Sequence, residues 1–390
     1  MAANKIHLDI SRKFKRNVFF TSRSTVEDEL RYYMDQFKDK IVLCNCNDDE
    51  NSEFFRYFQR IFEVLGLKKL IGVHYESEQG KPSYKLELYK DTNNDGKVTW
   101  KDQVIKTPIY GDDKYTAGDF RSKDCIELLK EADIVVTNPP FSLFREYFSQ
   151  LIKFKKKFLI LGNINFVGCK EIFPFFKDNE ISLGISIRSG AREFIVPSDY
   201  DVSTATGARL DKKGNKFIKI GGIRWFTNLK TGYRQPPLQL TDYYTKEKYP
   251  KYDNYDAINV DKVADIPCDY PGVMGVPLTF MDKYCPEQFE IVGLAGKDGF
   301  GLNSFKHYDR YKEMRSNGQP TGSSGKKTNG NPVMEGKTFK GNYFVNISGR
   351  IVRSLYSRIF IKNKHPEESE CREKNIKKHV LNKAFDTDVA

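Results

Sequence analysis

Ala132-Asp133-Ile134-Val135-Val136-Thr137-Asn138-Pro139-Pro140-Phe141 is the stretch on which the reading of this chain turns. The β-branched run Ile134-Val135-Val136 reads as a buried parallel strand, because such a run needs apolar cover on both faces. The two prolines end it. Neither has an N–H to donate and each restricts φ, so the chain leaves the sheet in a stiff turn with its carbonyls committed outward. Such a corner suits a site that holds a planar amine. An exocyclic amine such as adenine N6 is a poor nucleophile because its lone pair is delocalised into the ring. The amide oxygen of Asn138 and the carbonyl of Pro139 would accept its hydrogens and favour a pyramidal nitrogen, with Phe141 stacked on the ring. Asn-Pro is also a common turn starter, and the tetrapeptide alone reads equally well as a strand-ending turn.

Outward from this stretch the chain alternates strands and helices. Residues 25–30 read as a helix capped by Ser24 or Thr25, 40–46 as a strand, 52–65 as a helix with Phe54, Phe55, Phe58 and Phe62 on one face, and 70–75 as the next strand. This βαβ order predicts a parallel sheet. Residues 84–100 read as an inserted hairpin. Its turn, Asp91-Thr92-Asn93-Asn94-Asp95-Gly96, also fits the opening of a calcium loop, but Asp102 stands where a bidentate Glu belongs and the flanks are strand-like, so a hairpin turn is the better reading. Helices at 125–132 and 143–155 flank the central strand; strands follow at 158–162 and 181–187, with a late hairpin partner at 217–226. The order suggests a doubly wound sheet with an antiparallel edge. The texture changes from Pro271. Residues 302–340, rich in Gly, Ser, Asn and Lys, read as a long mobile loop, and 345–361 as strands packing that region back onto the sheet. The expected domains are 1–270, 271–365 and a charged tail, 366–390.

Lys and Arg number 64 against 52 acidic residues, a net charge of +12 and a pI near 9.1. The surplus is concentrated: residues 301–365 carry thirteen basic and three acidic side chains. A stretch of this kind suits a polyanion, and Phe305, Tyr308, Tyr311, Phe339, Tyr343 and Phe344, interleaved with Lys306, Arg310, Arg315, Lys326 and Lys327, favour nucleic acid over a merely solvated face. No signal peptide and no apolar run of membrane-spanning length is visible, so a soluble, cytoplasmic protein without membrane contact is expected. Seven scattered cysteines argue against a disulfide framework. Cys44-x-Cys46 is the one close pair, and no second Cys/His pair completes a zinc set, so no metal is expected. The five histidines form no motif, and His74 reads as structural.

Asn138-Pro139-Pro140-Phe141 resembles motif IV, the (Asp/Asn/Ser)-Pro-Pro-(Tyr/Phe/Trp) signature of amino-methyltransferases that use S-adenosylmethionine, and Asn with Phe resembles the adenine-N6 branch. With Lys40-Ile41-Val42-Leu43-Cys44-Asn45-Cys46 and Met274-Gly275-Val276-Pro277-Leu278-Thr279-Phe280, the wording is similar to the EcoRI-type adenine-specific DNA methyltransferases from about residue 17 to about residue 363. The resemblance implies a Rossmann-like class I methyltransferase fold, an α/β doubly wound mixed sheet with a C-terminal DNA-recognition region. It implies methyl transfer from S-adenosylmethionine to adenine N6 in duplex DNA, with the target base flipped out of the stack.

It also implies site residues. Asn138, Pro139, Pro140 and Phe141 would form the catalytic corner. Asn45, near the end of the first strand, and Asp48, in the loop after it, would face the donor, Asp48 at its methionine end, and Glu76 the ribose. Gly118-Asp119-Phe120 resembles motif III, with Asp119 on the adenine amine and Phe120 flanking the ring; Phe20-Thr21 resembles the tail of motif X; Asn163 would line the floor. The order X, I, IV, then target recognition is the γ arrangement. The usual Phe-x-Gly-x-Gly turn is absent, replaced by Cys44-Asn45-Cys46-Asn47-Asp48, close to the Cys-Asn-Cys-Asp-Asp of EcoRI-type enzymes. The expected partner is double-stranded DNA, bound by a monomer; a cognate restriction endonuclease would be a functional partner only. An RNA or protein amino-methyltransferase, or an inactive DNA-binding regulator on the same fold, are the alternatives.

Overall fold

The strands that read as continuous apolar runs lie side by side, where burial on both faces demands them. The computed structural model describes residues 20–196, 207–211, 214–296, 300–308, 310–324, 330–336 and 341–367. The chain divides into two units, Met1–Tyr233 and Arg234–Ala390. In the first, the strands in chain order are β1 (Ile41–Cys44), β2 (Lys69–Val73), β3 (Ser83–Leu88), β4 (Ile105–Ile109), β5 (Ile134–Thr137), β6 (Lys157–Asn163), β7 (Ser182–Leu183), β8 (Ala191–Val196), β9 (Arg209–Leu210), β10 (Lys216–Gly221) and β11 (Ile223–Thr227). Eight of them form one mixed sheet in the order β4-β3-β2-β1-β5-β6-β11-β7, while β8, β10 and β9 form a separate antiparallel sheet. The four central strands, β2-β1-β5-β6, are parallel. Antiparallel pairs close both edges, β3 with β4 and β11 with β7. All four residues of β5 are buried, as its β-branched run requires.

Helices are α1 (Arg23–Leu30), α2 (Glu53–Arg60), α3 (Phe62–Leu65), α4 (Lys123–Glu131), α5 (Phe144–Lys153) and α6 (Phe173–Lys177). Ser22, rather than Ser24 or Thr25, caps α1, accepting from the Thr25 N–H. The single helix expected over 52–65 is two, because Ile61 leaves helical geometry (φ −114°, ψ 22°). The aromatic face is retained across the break: Phe54, Phe55, Phe58 and Phe62 are buried against Val42, Leu70 and Trp225.

Several sequence expectations are corrected. The second strand of the inserted hairpin is β4, beyond the expected 84–100, and residues 89–104 form its long connection. There Asp91 accepts from the N–H groups of Asn94 and Gly96, and Asp102 from those of Thr92, Asn93 and Thr99, so these carboxylates brace backbone turns. The strand expected over 181–187 is two residues long. Residues 217–226 divide into β10 and β11 at Gly222, whose φ of +76° turns the chain from one sheet into another.

The second unit holds β12 (Ile258–Asn259), β13 (Met274–Pro277), β14 (Phe289–Leu294), β15 (Lys312–Met314), β16 (Pro320–Ser324), β17 (Val333–Glu335), β18 (Tyr343–Val345), β19 (Ile351–Ser354) and β20 (Arg358–Asn363). They form two sheets, β12-β13-β20-β14 and β16-β15-β18-β19-β17. Residues 302–340, expected as a loop, therefore contribute β15, β16 and β17. Strands of three to five residues held by cross-strand bonds are too short to show periodicity. The strands within residues 345–361 pair within these two sheets. Residues 234–270, assigned from sequence to the first domain, group with the second unit because β12 pairs with β13. Among the described residues no helix is long and apolar enough to cross a membrane.

Phe58 is fully buried and meets Phe37 edge-on at 5.1 Å. Phe58→Ala is expected to lower unfolding free energy by about 3–5 kcal/mol, measured by urea denaturation.

Candidate active site

Strand order reverses between β1 and β5: β2 lies to one side of β1, and β6 to the other side of β5. In open α/β sheets the crevice beyond the strand ends opens at such a point. The ladder between β1 and β5 stops at Leu43 opposite Val135, so the two chains part there. Thr137 ends β5, Asn138 follows it half-buried, and Pro139 and Pro140 lead into a short 3₁₀ turn, Phe141–Leu143, that runs on into α5. The Asn138 amide donates from Nδ2 to Thr21 Oγ1 at 3.3 Å. Thr21 is buried, and its neighbour Phe20 is pinned to Ile195 by paired backbone bonds of 2.9 and 3.2 Å. Phe141 is half-buried against the main core cluster. The fold thus brings the expected corner and the Phe20-Thr21 segment together across more than a hundred residues.

The loop after β1 is built from its own side chains. Asn47 takes φ of +62° and accepts from the Tyr75 N–H at 3.0 Å, strapping the loop to the end of β2. Asp48 is 4 % exposed. Its carboxylate accepts from Ser52 Oγ at 2.6 Å, Thr137 Oγ1 at 2.5 Å and the Cys46 N–H at 3.2 Å. Gly72 of β2 makes room for this: a Cβ there would stand 2.5 Å from the Asp48 carbonyl. Asp48, expected to face a donor, is therefore turned inward, because three donors of the loop's own framework occupy it. Burial pushes its pKa up to about 6 against the lowering effect of those bonds.

Asn45 is 1 % exposed; its Oδ1 accepts from Tyr147 of α5 at 2.5 Å, and its buried Nδ2 has no partner among the described residues. Burial, with Cys46 and Asp48 close by, pushes the Tyr147 phenol well above its usual range and keeps it a donor. Burial likewise raises the Cys44 thiol, which stays protonated. Among the described residues no group of three or more His, Cys, Asp or Glu is placed to hold a metal ion. His74 stacks on Tyr84 and contacts Asp49 through Nδ1 at 3.1 Å.

Gly118 brings the segment expected as motif III to the same edge. Its φ of +81° and the His74 carbonyl, 2.0 Å from where a Cβ would stand, admit no side chain. The Glu76 N–H donates to the Ala117 carbonyl, and the Glu76 carboxylate, held below its usual range by the Glu78 N–H, lies at the surface of this junction. Asp119 is 9 % exposed and gripped by Arg121 through Nε and NH2 at 2.9 and 2.8 Å. Phe120 is buried edge-on against Tyr147. Asn163 caps the turn after β6, accepting from the Asn165 N–H and donating to the Gly221 carbonyl. It serves the β6–β11 junction, the plain turn role.

Sequence reasoning did not find Thr137, Ser52, Tyr147 or Arg121. The spacing of Phe144, Tyr147, Phe148 and Leu151, all buried on α5, would have marked Tyr147 as inward-facing.

In the second unit, Lys306 pairs with half-buried Asp253 at 2.5 Å, alongside Arg350 and Tyr308. Arg310 is exposed before β15, and Arg315 is exposed at the turn joining β15 to β16, where its N–H donates to the Gln319 carbonyl. Lys326 and Lys327 lie outside the described residues.

The family model described as adenine-specific methyltransferase EcoRI matches residues 7–364. The chain is 47 % identical over 301 residues to the Type II methyltransferase M.EcoRI of Escherichia coli, covering 75 % of this chain and 89 % of that protein. It is 43 % identical over 303 residues to the Type II methyltransferase M.MgeORF184P of Mycoplasma genitalium, covering 77 % and 90 %. With the Type II methyltransferase M.MpnI of Mycoplasma pneumoniae it shares 40 % identity over 299 residues, covering 76 % and 88 %. No solved structure matches the chain.

A carboxyl whose folded pKa is raised favours folding in its protonated form. That contribution is complete below about pH 4 and is lost as pH rises through about 6. The unfolding free energy of the natural protein minus that of Asp48→Asn is therefore expected to fall by about 2 kcal/mol between pH 4 and 7, measured by urea titration of both proteins. A difference that is flat or rises with pH would contradict the burial of an ionisable Asp48.

Proposed function

Since the chain belongs to the EcoRI family of adenine-specific methyltransferases, we propose that it transfers a methyl group from S-adenosylmethionine to N6 of an adenine flipped out of a specific duplex DNA sequence. The family is described as adenine-specific and the relatives are named Type II methyltransferases, which supports a modification enzyme of the restriction-modification type acting on DNA adenine. The observation that carries the finer reading is the position of Asn138, at the carboxyl end of a central parallel strand beside the strand-order reversal, with its amide oriented by Thr21. This placement supports a Rossmann-like class I methyltransferase fold for the first unit, and the basic second unit is assigned to target recognition.

The donor set fits the proposed cofactor. Asn45 offers a buried amide N–H with no partner among the described residues, suited to an acceptor such as a carboxylate or ring nitrogen. Glu76 offers a surface carboxylate suited to ribose hydroxyls. Asn45 and Glu76 are the groups assigned to hold it, with Phe20 and Thr21 alongside; Asp48, Asp119 and Asn163 support the loops behind them. When bound, S-adenosylmethionine supplies a methyl group already activated by its sulfonium.

The chain's own part is positioning. The Thr21 contact takes Asn138 Nδ2, so Oδ1 faces the other way, as an acceptor for one N6 hydrogen; the Pro139 carbonyl takes the other. Both acceptors favour a pyramidal nitrogen whose lone pair is available for transfer. Phe141 stacks on the extruded ring. The N6 proton, acidic once the new bond forms, passes to solvent, so the protonated Cys44 thiol and a structural His74 are no handicap. Flipping costs a few kcal/mol, which phosphate contacts offset.

Plasmid DNA from cells expressing the chain is expected to resist a restriction enzyme whose site overlaps the target, and long-read sequencing is expected to show N6-methyladenine at one motif; unmodified DNA would refute the function. Asn138→Ala is expected to lower the single-turnover rate by about a hundredfold or more while DNA affinity changes little, and a rate within tenfold of normal would refute the acceptor role. Replacing Arg310 and Arg315 together with Ala is expected to flatten the dependence of log Kd on log salt by about two units if both contact phosphates.

A further inference from the structure

The β1–β5 ladder ends at Leu43 opposite Val135, yet Thr137 and the loop after β1 are joined again two residues further on, through the Thr137 side chain, whose hydroxyl donates to Asp48. Thr137 is fully buried and follows three aliphatic β-branched or branched neighbours, Ile134, Val135 and Val136. For burial in a strand, valine would serve there as well as threonine. What threonine adds is the hydroxyl that donates to Asp48 across the opening between the strands.

Asp48 holds the other side firmly. Its backbone bridges to Val73 of β2, one carboxylate oxygen accepts from Ser52, the cap of α2, and the other accepts from both Cys46 N and Thr137 Oγ1. Three elements thus converge on one carboxylate: the end of β1, the start of α2 and the last residue of β5. Thr137 stands one peptide before Asn138, and Cys46 one peptide after Asn45.

We propose that Asp48 and Thr137 are a positioning pair for methyl transfer, a clasp that sets the spacing between the Asn138 corner and the loop carrying Asn45. The inference rests on the reading of Asn138 as the acceptor of the target amine. It assigns Asp48 a role in the transfer step rather than in donor affinity. The groups around the clasp agree with this. Asp49, the next acid, turns away to His74, and Tyr147 is committed to Asn45, so neither competes for the Thr137 hydroxyl.

The test compares Thr137→Val, which keeps shape and burial, with Thr137→Ser, which keeps the hydroxyl, in the full-length protein. Single-turnover methyl transfer to saturating target DNA gives the rate; calorimetric titration with S-adenosylhomocysteine gives donor-site affinity; circular dichroism melting reports the fold. Thr137→Val is expected to slow transfer by about ten- to a hundredfold, since misplacement of about 1 Å has that effect, with S-adenosylhomocysteine affinity and KM for DNA changed by less than about threefold. Thr137→Ser is expected to restore the rate to within about threefold of normal. The proposal is overturned if Thr137→Val transfers at the normal rate, if Thr137→Ser is as slow as Thr137→Val, or if S-adenosylhomocysteine affinity falls in step with the rate. Should Thr137→Val not fold, Thr137→Ala is judged by the same criteria; if neither folds while Thr137→Ser does, the hydroxyl serves the fold and the proposal fails. Natural protein that methylates no DNA would remove the functional reading itself, whereas the ratios among active variants bear on the clasp alone.

Discussion

A parallel sheet whose strand order reverses must open between two strands, and that opening is the constraint on which the amino-terminal unit is built. β1 and β5 run side by side for two paired residues and then part. Backbone hydrogen bonds no longer hold them, so side chains take over. Asp48 does so at the expense of burying a carboxylate, a cost visible in its pKa of about 6. Hydrogen bonds from Ser52, Thr137 and Cys46 offset much of that cost, which is why the group is still largely ionised at neutral pH and remains an acceptor for each.

The chemistry suits such a rigid frame. The proposed transfer from an activated sulfonium would need alignment more than acid–base power, and the residues around the crevice are held in alignment: Tyr147 orients the Asn45 amide, Thr21 orients the Asn138 amide, and Gly118 lets the Asp119-Phe120 segment close on the end of β2. Arg121 neutralises Asp119 behind that segment.

In the second unit charge is organised differently from what a count suggests. Asp253 draws Lys306 and Arg350 inward, Arg350 also binds Glu335, and buried Arg358 pairs with Asp261, so several of the thirteen cations between residues 301 and 365 work on the protein's own framework. Arg310 and Arg315 stay at the surface. The sign of the unit's charge follows from composition, but which cations can meet a phosphate depends on which have an acid folded against them.

Long or strongly patterned signals were legible in the residues themselves: the buried β5, the proline corner, the aromatic face of α2 and α3, and the run of parallel strands, because each is dictated by local sterics or by a period that needs no partner. The short strands β15 to β17 were not, since two or three cross-strand bonds from distant residues define them. Asn138 could be singled out from its neighbours alone. That Asp48 faces Thr137 rather than solvent, that Asn163 closes a turn, and that Lys306 is tied to Asp253 were decided by the tertiary structure, because the partners lie 89, 58 and 53 residues away. Only folding sets which side chain satisfies a buried charge or amide.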